Sequence, residues 1–203
     1  MGKYIGPRTK IARRYGDPIF GPSKAFSKKN YAPGQHGKGK RKDVKEYSEQ
    51  LNAKNKAKHI YDVRERQFHN LFILAEKSNG NTGTNLLELL ESRLDNIVYR
   101  LGIAVSRASG RQCVSHKHIT VNGKVVNIPS YRVKEGDIIA ISKRGMKFNN
   151  LLVTRASNPT AIKVSWLEWD AKKLSGKLLT KPIREEIPEI INENAIVNFY
   201  SKC

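Results

Sequence analysis

Ile119-Thr-Val-Asn-Gly-Lys-Val-Val126 reads as two short strands joined at Asn122-Gly123, a dipeptide that accepts the positive φ angles of a two-residue hairpin turn. Just upstream, Ser106 is a good N-cap residue. Arg107 and Arg111 lie four apart on the helix it would open, so they share a face. Further back, Asn85-Leu-Leu-Glu88 has capping-box spacing. Leu86, Leu90, Leu94, Ile97, Val98 and Leu101 then fall within an arc of about 120° on a helical wheel. One helix is therefore predicted from Asn85 to a stop at Gly102, with Arg93 and Arg100 edging the stripe and Asp95 on the solvated side. Downstream, Tyr131–Ile141 predicts two more extended pieces around Glu135-Gly136. Two helices followed by a small sheet make a compact module.

The flanks read differently. Residues 1–42 are broken by Pro7, Pro18, Pro22, Pro33 and many glycines, leaving only Arg8–Arg14 as a short helix behind Pro7. Val44–Lys58 is helix-prone with one narrow face to bury. Asp62-Val-Arg-Glu65 has a second capping-box pattern, followed by Phe68, Leu71, Phe72 and Ala75 at helical spacing. Ser78–Gly83 ends that helix. Near the C-terminal end, Trp166 and Trp169 read as core anchors, and Ala195-Ile-Val-Asn-Phe-Tyr200 as a strand. The expected fold class is α+β. An irregular basic arm (1–42) precedes a mainly helical domain (43–84 plus 160–203), into which the helix–hairpin–sheet module (85–158) is inserted.

Charge states the function class. The 203 residues carry a formal net charge of +20. Residues 1–58 hold 16 Lys/Arg against 4 Asp/Glu, and residues 101–155 hold 10 against 2, while the remaining segments are close to neutral. Two separated basic regions suit two footprints on one polyanion. Tyr31-Ala-Pro-Gly-Gln-His-Gly37 followed by Lys38-Gly-Lys-Arg-Lys42 cannot build a core, and its glycines leave backbone N–H groups to point outward. In the module, Arg107, Arg111 and Lys117 can reach phosphates, and Ser115, His116 and Asn122 can hydrogen-bond ribose or base edges. A preformed basic face of this kind suits folded RNA.

Other chemistries find little support. There is no Gly-rich phosphate loop ending in Lys-Ser/Thr, and no dinucleotide fingerprint. Cys113-x-x-His116-x-His118 offers three ligands without a fourth, so no metal is expected. Arg93-Leu-Asp95 resembles the catalytic triplet of pseudouridine synthases, but here it falls inside a predicted helix. The longest apolar run, Leu71–Ala75, is far short of the ~20 residues of a membrane span. No apolar leader and only two cysteines make a reducing, cytosolic setting the expectation. An RNA-modifying enzyme borrowing the module would need a nucleophile or cofactor loop in the flanks, which supply neither. A DNA-binding regulator would need a recognition helix with a base-reading pattern.

Ala32-Pro-Gly-Gln-His-Gly37, Glu65-Arg-Gln-Phe68, Asn81-Thr-Gly-x-Asn-Leu-Leu-x-Leu-Leu-Glu91, Arg93-Leu-Asp-Asn-x-Val-Tyr-Arg100, Val114-Ser-His116 and Ile119-x-Val-Asn-Gly-x-x-Val-Asn-Ile-Pro-Ser-Tyr131 stand in order along the chain. Lys3-Tyr-x-Gly-Pro7 and Ile196-Val-x-Phe-Tyr-Ser201 extend the pattern to both ends. The set resembles the bacterial small-subunit ribosomal protein four family. That resemblance implies a non-enzymatic primary binder of small-subunit rRNA, seated early in assembly at a junction in the 5′ domain. It also implies contacts with ribosomal proteins five and three, a contribution to decoding accuracy, and a place beside the channel through which mRNA enters. Many family members carry a zinc-binding cysteine cluster in the stretch matching Thr9–Tyr31; this chain has none there, so a zinc-free form with no cofactor is expected. No homo-oligomer and no membrane partner are implied.

The candidate RNA-binding set is then Lys3, Tyr4, Arg8, Arg13, Arg14, Lys24, Gly34, Gln35, His36, Gly37, Lys54, Lys58, Arg64 and Arg66 in the N-terminal part. In the module it is Arg107, Arg111, Ser115, His116, Lys117, Asn122 and Lys124. Lys38, Lys40, Arg41 and Lys42 match the family segment that faces mRNA.

Overall fold

The computed structural model describes residues 4–21, 23–39, 45–148 and 164–201. The chain divides into two compact units, one of residues 1–70 with 190–203, the other of residues 71–189.

In the first unit, α1 (Arg8–Tyr15) begins after Pro7 and ends at Gly16, whose φ of 74° only glycine adopts easily. A short α2 (Lys24–Lys28) follows. α3 (Glu46–Ile60) buries Gln50, Lys54, Ala57 and Ile60, the one narrow face its sequence allows. α4 spans Glu65–Glu76, of which residues 65–70 belong to this unit, with Phe68 fully buried. α4 starts at Glu65, which puts Arg64 and not Asp62 at its cap position; the Asp62 N–H donates to the His59 carbonyl, and the Glu65 carboxylate binds Lys54 and Lys58. The predicted C-terminal strand is a helix, α9 (Glu193–Ser201), packed on α3. Ala195, Ile196 and Phe199 form its buried face, and Asn192 Oδ1 caps it by accepting from the Ala195 N–H at 3.1 Å.

In the second unit the long predicted helix is two helices, α5 (Thr82–Glu91) and α6 (Leu94–Arg100). α5 is capped by Asn81, whose Oδ1 accepts from the Gly83 and Thr84 N–H groups. Asn85, the expected cap, instead donates to the carbonyls of Ala75, Ser78 and Asn79, tying down the turn before α5. The break lies at Ser92–Arg93, where Arg93 is extended. Its backbone neighbourhood is occupied by the 129–133 stretch: the Leu94 N–H donates to Tyr131, the Asp95 N–H to Pro129, and the Val133 N–H to Ser92. These bonds replace those an unbroken helix would have made. The leucine stripe stays buried across the break.

Ser106 caps α7 (Arg107–Ser115) as expected, accepting from the Ser109 N–H. The hairpin also forms as expected, β1 (Ile119–Val121) and β2 (Lys124–Val125), with Asn122 and Gly123 at φ 50° and 77°. β3 (Ile138–Ile141) pairs with β1, and α8 (Lys143–Phe148) follows. β4 (Leu167–Asp170) and β5 (Ser175–Leu178) complete an antiparallel five-stranded sheet in the order β2-β1-β3-β5-β4. Residues 167–178 thus extend the module's sheet, whereas the sequence reading grouped them with the helical domain. Trp166 is fully buried, as a core anchor should be. A 3-10 turn at Arg184–Glu186 leads to Glu189.

Candidate nucleic-acid interface

The buried charges come first, because they decide which cations remain for a ligand. In the second unit Glu91 is 1% exposed and takes the Arg100 guanidinium in two bonds of 2.6 and 2.9 Å and the Asn96 amide at 2.6 Å. Arg100 and Arg107 both reach Glu189, and Arg107 Nε donates to Asn96 Oδ1 at 2.7 Å. Burial disfavours the Arg100 charge, but Glu91 and Glu189 outweigh it and raise its pKa; burial likewise works against the Glu189 carboxylate, which Arg107 and Arg100 hold below its ordinary range. Beside this cluster, Asp95 accepts two bonds from Arg93 and lies 3.7 Å from Arg111. Asp95 is 4% exposed and Arg111 6%. Two expectations are corrected here: Asp95 is not solvated, and Arg107 and Arg111 are not an exposed pair but the inner clamps of α6 against α7. The helices approach so closely that a Cβ on Gly110 would stand 2.5 Å from the Asp95 carbonyl.

What this core leaves outside is a basic edge. Ser115, His116, Lys117, Asn122 and Lys124 are all exposed. Lys117 sits at a left-handed turn, φ 65°. Ser142 binds that turn to α8: its hydroxyl donates to the Lys117 carbonyl at 2.9 Å and accepts from the Gly145 N–H at 3.0 Å. Gly145 permits the contact, since a Cβ there would meet the His118 carbonyl at 2.8 Å. Exposed Lys143, Arg144 and Lys147 of α8 thereby join Lys117 on one edge. The sequence reading missed these three, although the run Lys143-Arg-Gly-Met-Lys147 inside the basic central segment was signal enough. His118 is buried, and burial, His116 and Arg144 all lower its pKa. Asn122 is less available than expected, because its amide donates to Asp137 and its carbonyl oxygen accepts from the Ile138 N–H.

The first unit sorts its cations in the same way. Lys54 is buried, bonded to Glu65 at 2.7 Å with its ammonium 4.5 Å from the Phe199 ring centroid, so it supports the fold rather than facing solvent. Lys58 takes the other Glu65 oxygen at 2.9 Å. Partial burial of Glu65 raises its pKa, but Lys54 and Lys58 more than reverse this and bring it to about 2. Arg13 stacks over Tyr31 and donates to the Tyr31 and Ala32 carbonyls, pinning the 31–39 loop to α1. In that loop the Gly37 and Gly39 N–H groups donate to Gly34 and His36, so these two amides are spent internally instead of pointing outward. Gly37 has no alternative, since a Cβ would fall within 1.9 Å of the Ala32 carbonyl. Tyr4, Arg8, Arg14, Lys24, Gly34, Gln35, His36, Lys38, Arg64 and Arg66 are exposed. Lys3, Lys40, Arg41 and Lys42 lie outside the described residues.

Among the described residues no three His, Cys, Asp or Glu side chains gather as metal ligands, and no helix is long and apolar enough to cross a membrane. The family description "Ribosomal protein S4/S9 N-terminal domain" matches residues 3–91, and "S4 domain" matches residues 92–139. The chain belongs to the ribosomal protein S4 family. It is 58% identical to the small ribosomal subunit protein uS4 of Amoebophilus asiaticus, 54% to that of Cytophaga hutchinsonii and 53% to that of Parabacteroides distasonis. Each match covers 100% of both chains. The S4-domain match starts at Ser92, the helix break, and takes in the buried Arg93–Asp95–Arg111 set, α7 and the hairpin.

Proposed function

We propose that this chain is a non-catalytic structural constituent of the small ribosomal subunit, in the cytoplasm, and binds small-subunit rRNA. The observation that carries the reading is the full-length similarity, at 53–58% identity, to chains named for that subunit. The two basic faces supply the mechanism. Exposed cations exchange condensed counterions for phosphates, while the buried arginines keep the faces rigid. A preformed face loses little entropy on binding, which suits a protein that seats early at a multi-helix junction of the 5′ domain. The loop Lys38–Lys42, glycine-spaced and cationic, is assigned to the channel through which mRNA enters. Contacts with ribosomal proteins five and three and a part in decoding accuracy belong to the same reading, on family resemblance. Crosslinking in cells followed by sequencing of the bound RNA tests it. Signal is expected at one junction of small-subunit rRNA, and signal spread evenly over unrelated RNAs would refute it.

A further inference from the structure

A cavity of about 360 Å³ opens in the first unit between the stretch Tyr4-Ile-Gly6 and the turn that joins α3 to α4. Tyr4, Ile5, His59 and Val63 give its lining an apolar part, and Lys58, Asp62, Arg64 and Glu65 a charged one, in which Glu65 is paired with Lys58. The Tyr4 ring meets the His59 imidazole edge-on, with centroids 5.7 Å apart. Gly6 makes room for that ring, because a Cβ there would stand 2.4 Å from the Tyr4 hydroxyl. Val63 contributes a buried apolar patch, and Ile5, also lining the cavity, is 89% exposed. Burial, Lys58 and Arg14 all lower the His59 pKa, which favours the uncharged imidazole. Arg64, exposed and cationic, stands on the same lining.

The Asp62 and Glu65 carboxylates on the lining repel phosphate from the interior, while Tyr4, His59 and Val63 offer apolar surface there. That surface favours a flat, uncharged face, and the arginine favours the anion attached to it. At the low end of the ~300–1,000 Å³ usual for small-molecule pockets, the cavity accepts one nucleoside and no paired helix. We propose that it takes a single unstacked nucleobase of the bound RNA, stacked on Tyr4 beside His59, with the adjoining phosphate on Arg64. The inference rests on the RNA-binding reading above and adds the recognition of one splayed-out base to it. Single-stranded loops and bulges, whose bases can be splayed out onto aromatic side chains, are the RNA elements that offer such a group.

The test is a titration of the full chain with a transcribed 5′-domain fragment of small-subunit rRNA, together with chemical probing of the complex. Tyr4→Ala should weaken binding by ~5–150-fold, the loss of one base–aromatic stack, with the salt slope unchanged. Tyr4→Phe should bind like wild type, and Gly6→Val should copy Tyr4→Ala by displacing the ring. In probing, one base protected by wild type should become reactive with Tyr4→Ala while the rest of the footprint stays. A full footprint in which no base depends on Tyr4 would overturn the pocket alone. A wild-type chain that leaves no footprint on this RNA would overturn the RNA reading and the pocket with it. Adenosine and uridine monophosphates serve as competitors. Full displacement of either by the fragment is expected, whereas free nucleotide bound at the cavity of the RNA-saturated protein would overturn the assignment to an RNA base.

Discussion

Replacing Glu91 by Gln tests whether the buried ion cluster organises the second unit. The substitution keeps the shape of the side chain but removes the charge that two Arg100 bonds and one Asn96 bond point to. Arg100 has no route to water, its side chain being 1% exposed, and its Nη1 already lacks a partner among the described residues. Among the described residues only Glu189 remains to balance it, and Glu189 is shared with Arg107. Breaking a buried pair on one side costs about 3–5 kcal/mol, because it strands the other charge. That is a large part of the ~5–15 kcal/mol by which domains are stable. For a chain of this length it corresponds to a fall in Tm of roughly 6–20 °C. Both tryptophans, Trp166 and Trp169, lie in the second unit, so their fluorescence during heating reports it selectively. Lys181→Ala is the control. It removes the 3.2 Å pair with Glu88, in which the lysine is 70% exposed, and should cost below about 1 kcal/mol. Replacing Glu91 and Arg100 together by Met should recover part of the loss, since no charge of that pair is then stranded. A Glu91→Gln midpoint no lower than that of Lys181→Ala would refute the reasoning.

Four further outcomes are expected. Gly110→Ala forces α7 away from the Asp95 carbonyl and should cost about 1–3 kcal/mol by the same fluorescence assay; a neutral result would mean the helices part freely. Glu65 has a folded pKa of about 2 against an ordinary 4.5, so its ion pairs stabilise the first unit fully above pH 4.5 and are lost as pH falls toward 2. Hydrogen exchange of α3 and α9 amides should therefore quicken over that window in wild type, and Glu65→Gln should already exchange faster at pH 6 and lose the acid dependence; identical profiles would remove Glu65 from the account. Binding to rRNA should fall steeply with salt, by ~10³–10⁵ between 50 and 200 mM for about 6–10 phosphate contacts, and Lys117→Ala and Arg144→Ala should each lower the slope by about 1; a flat plot would sink the electrostatic reading. Neutralising Lys38, Lys40, Arg41 and Lys42 to Gln should leave subunit assembly intact and impair structured messengers more than unstructured ones; an unchanged ratio of the two reporters would refute the channel role.

The parts of this fold that the sequence made legible are those with local causes. Asn122-Gly123 carries its own turn, Ser106 its own cap, and Pro7 and Gly16 the ends of α1. The helix break at Arg93 has no local cause of that kind. Leu90 and Leu94 keep helical spacing across it, so periodicity runs on unbroken, and the backbone partners that stabilise the break arrive from residues 129–133. The C-terminal helix was misread for the opposite reason. Ile196-Val197 has strand propensity, but burial of Ala195, Ile196 and Phe199 against α3 overrides it. The Asn192 cap was the one local sign of the helix.

The same distinction separates the cations. Composition gives their number and sign, but not which ones an internal carboxylate has claimed. Glu189 lies 82 residues from Arg107, and no spacing rule connects them. Glu65 is only 11 residues from Lys54, yet the pairing needs α3 and α4 folded back on each other. A claimed arginine is worth more to the fold than to a ligand, because moving it to a phosphate would strand a buried carboxylate at a cost of several kcal/mol. An exposed lysine at a turn carries no such debt. Lys117 and the α8 cations can therefore exchange water and counterions for phosphate, while Arg107 and Arg111 hold in place α7, whose end leads into the Lys117 turn.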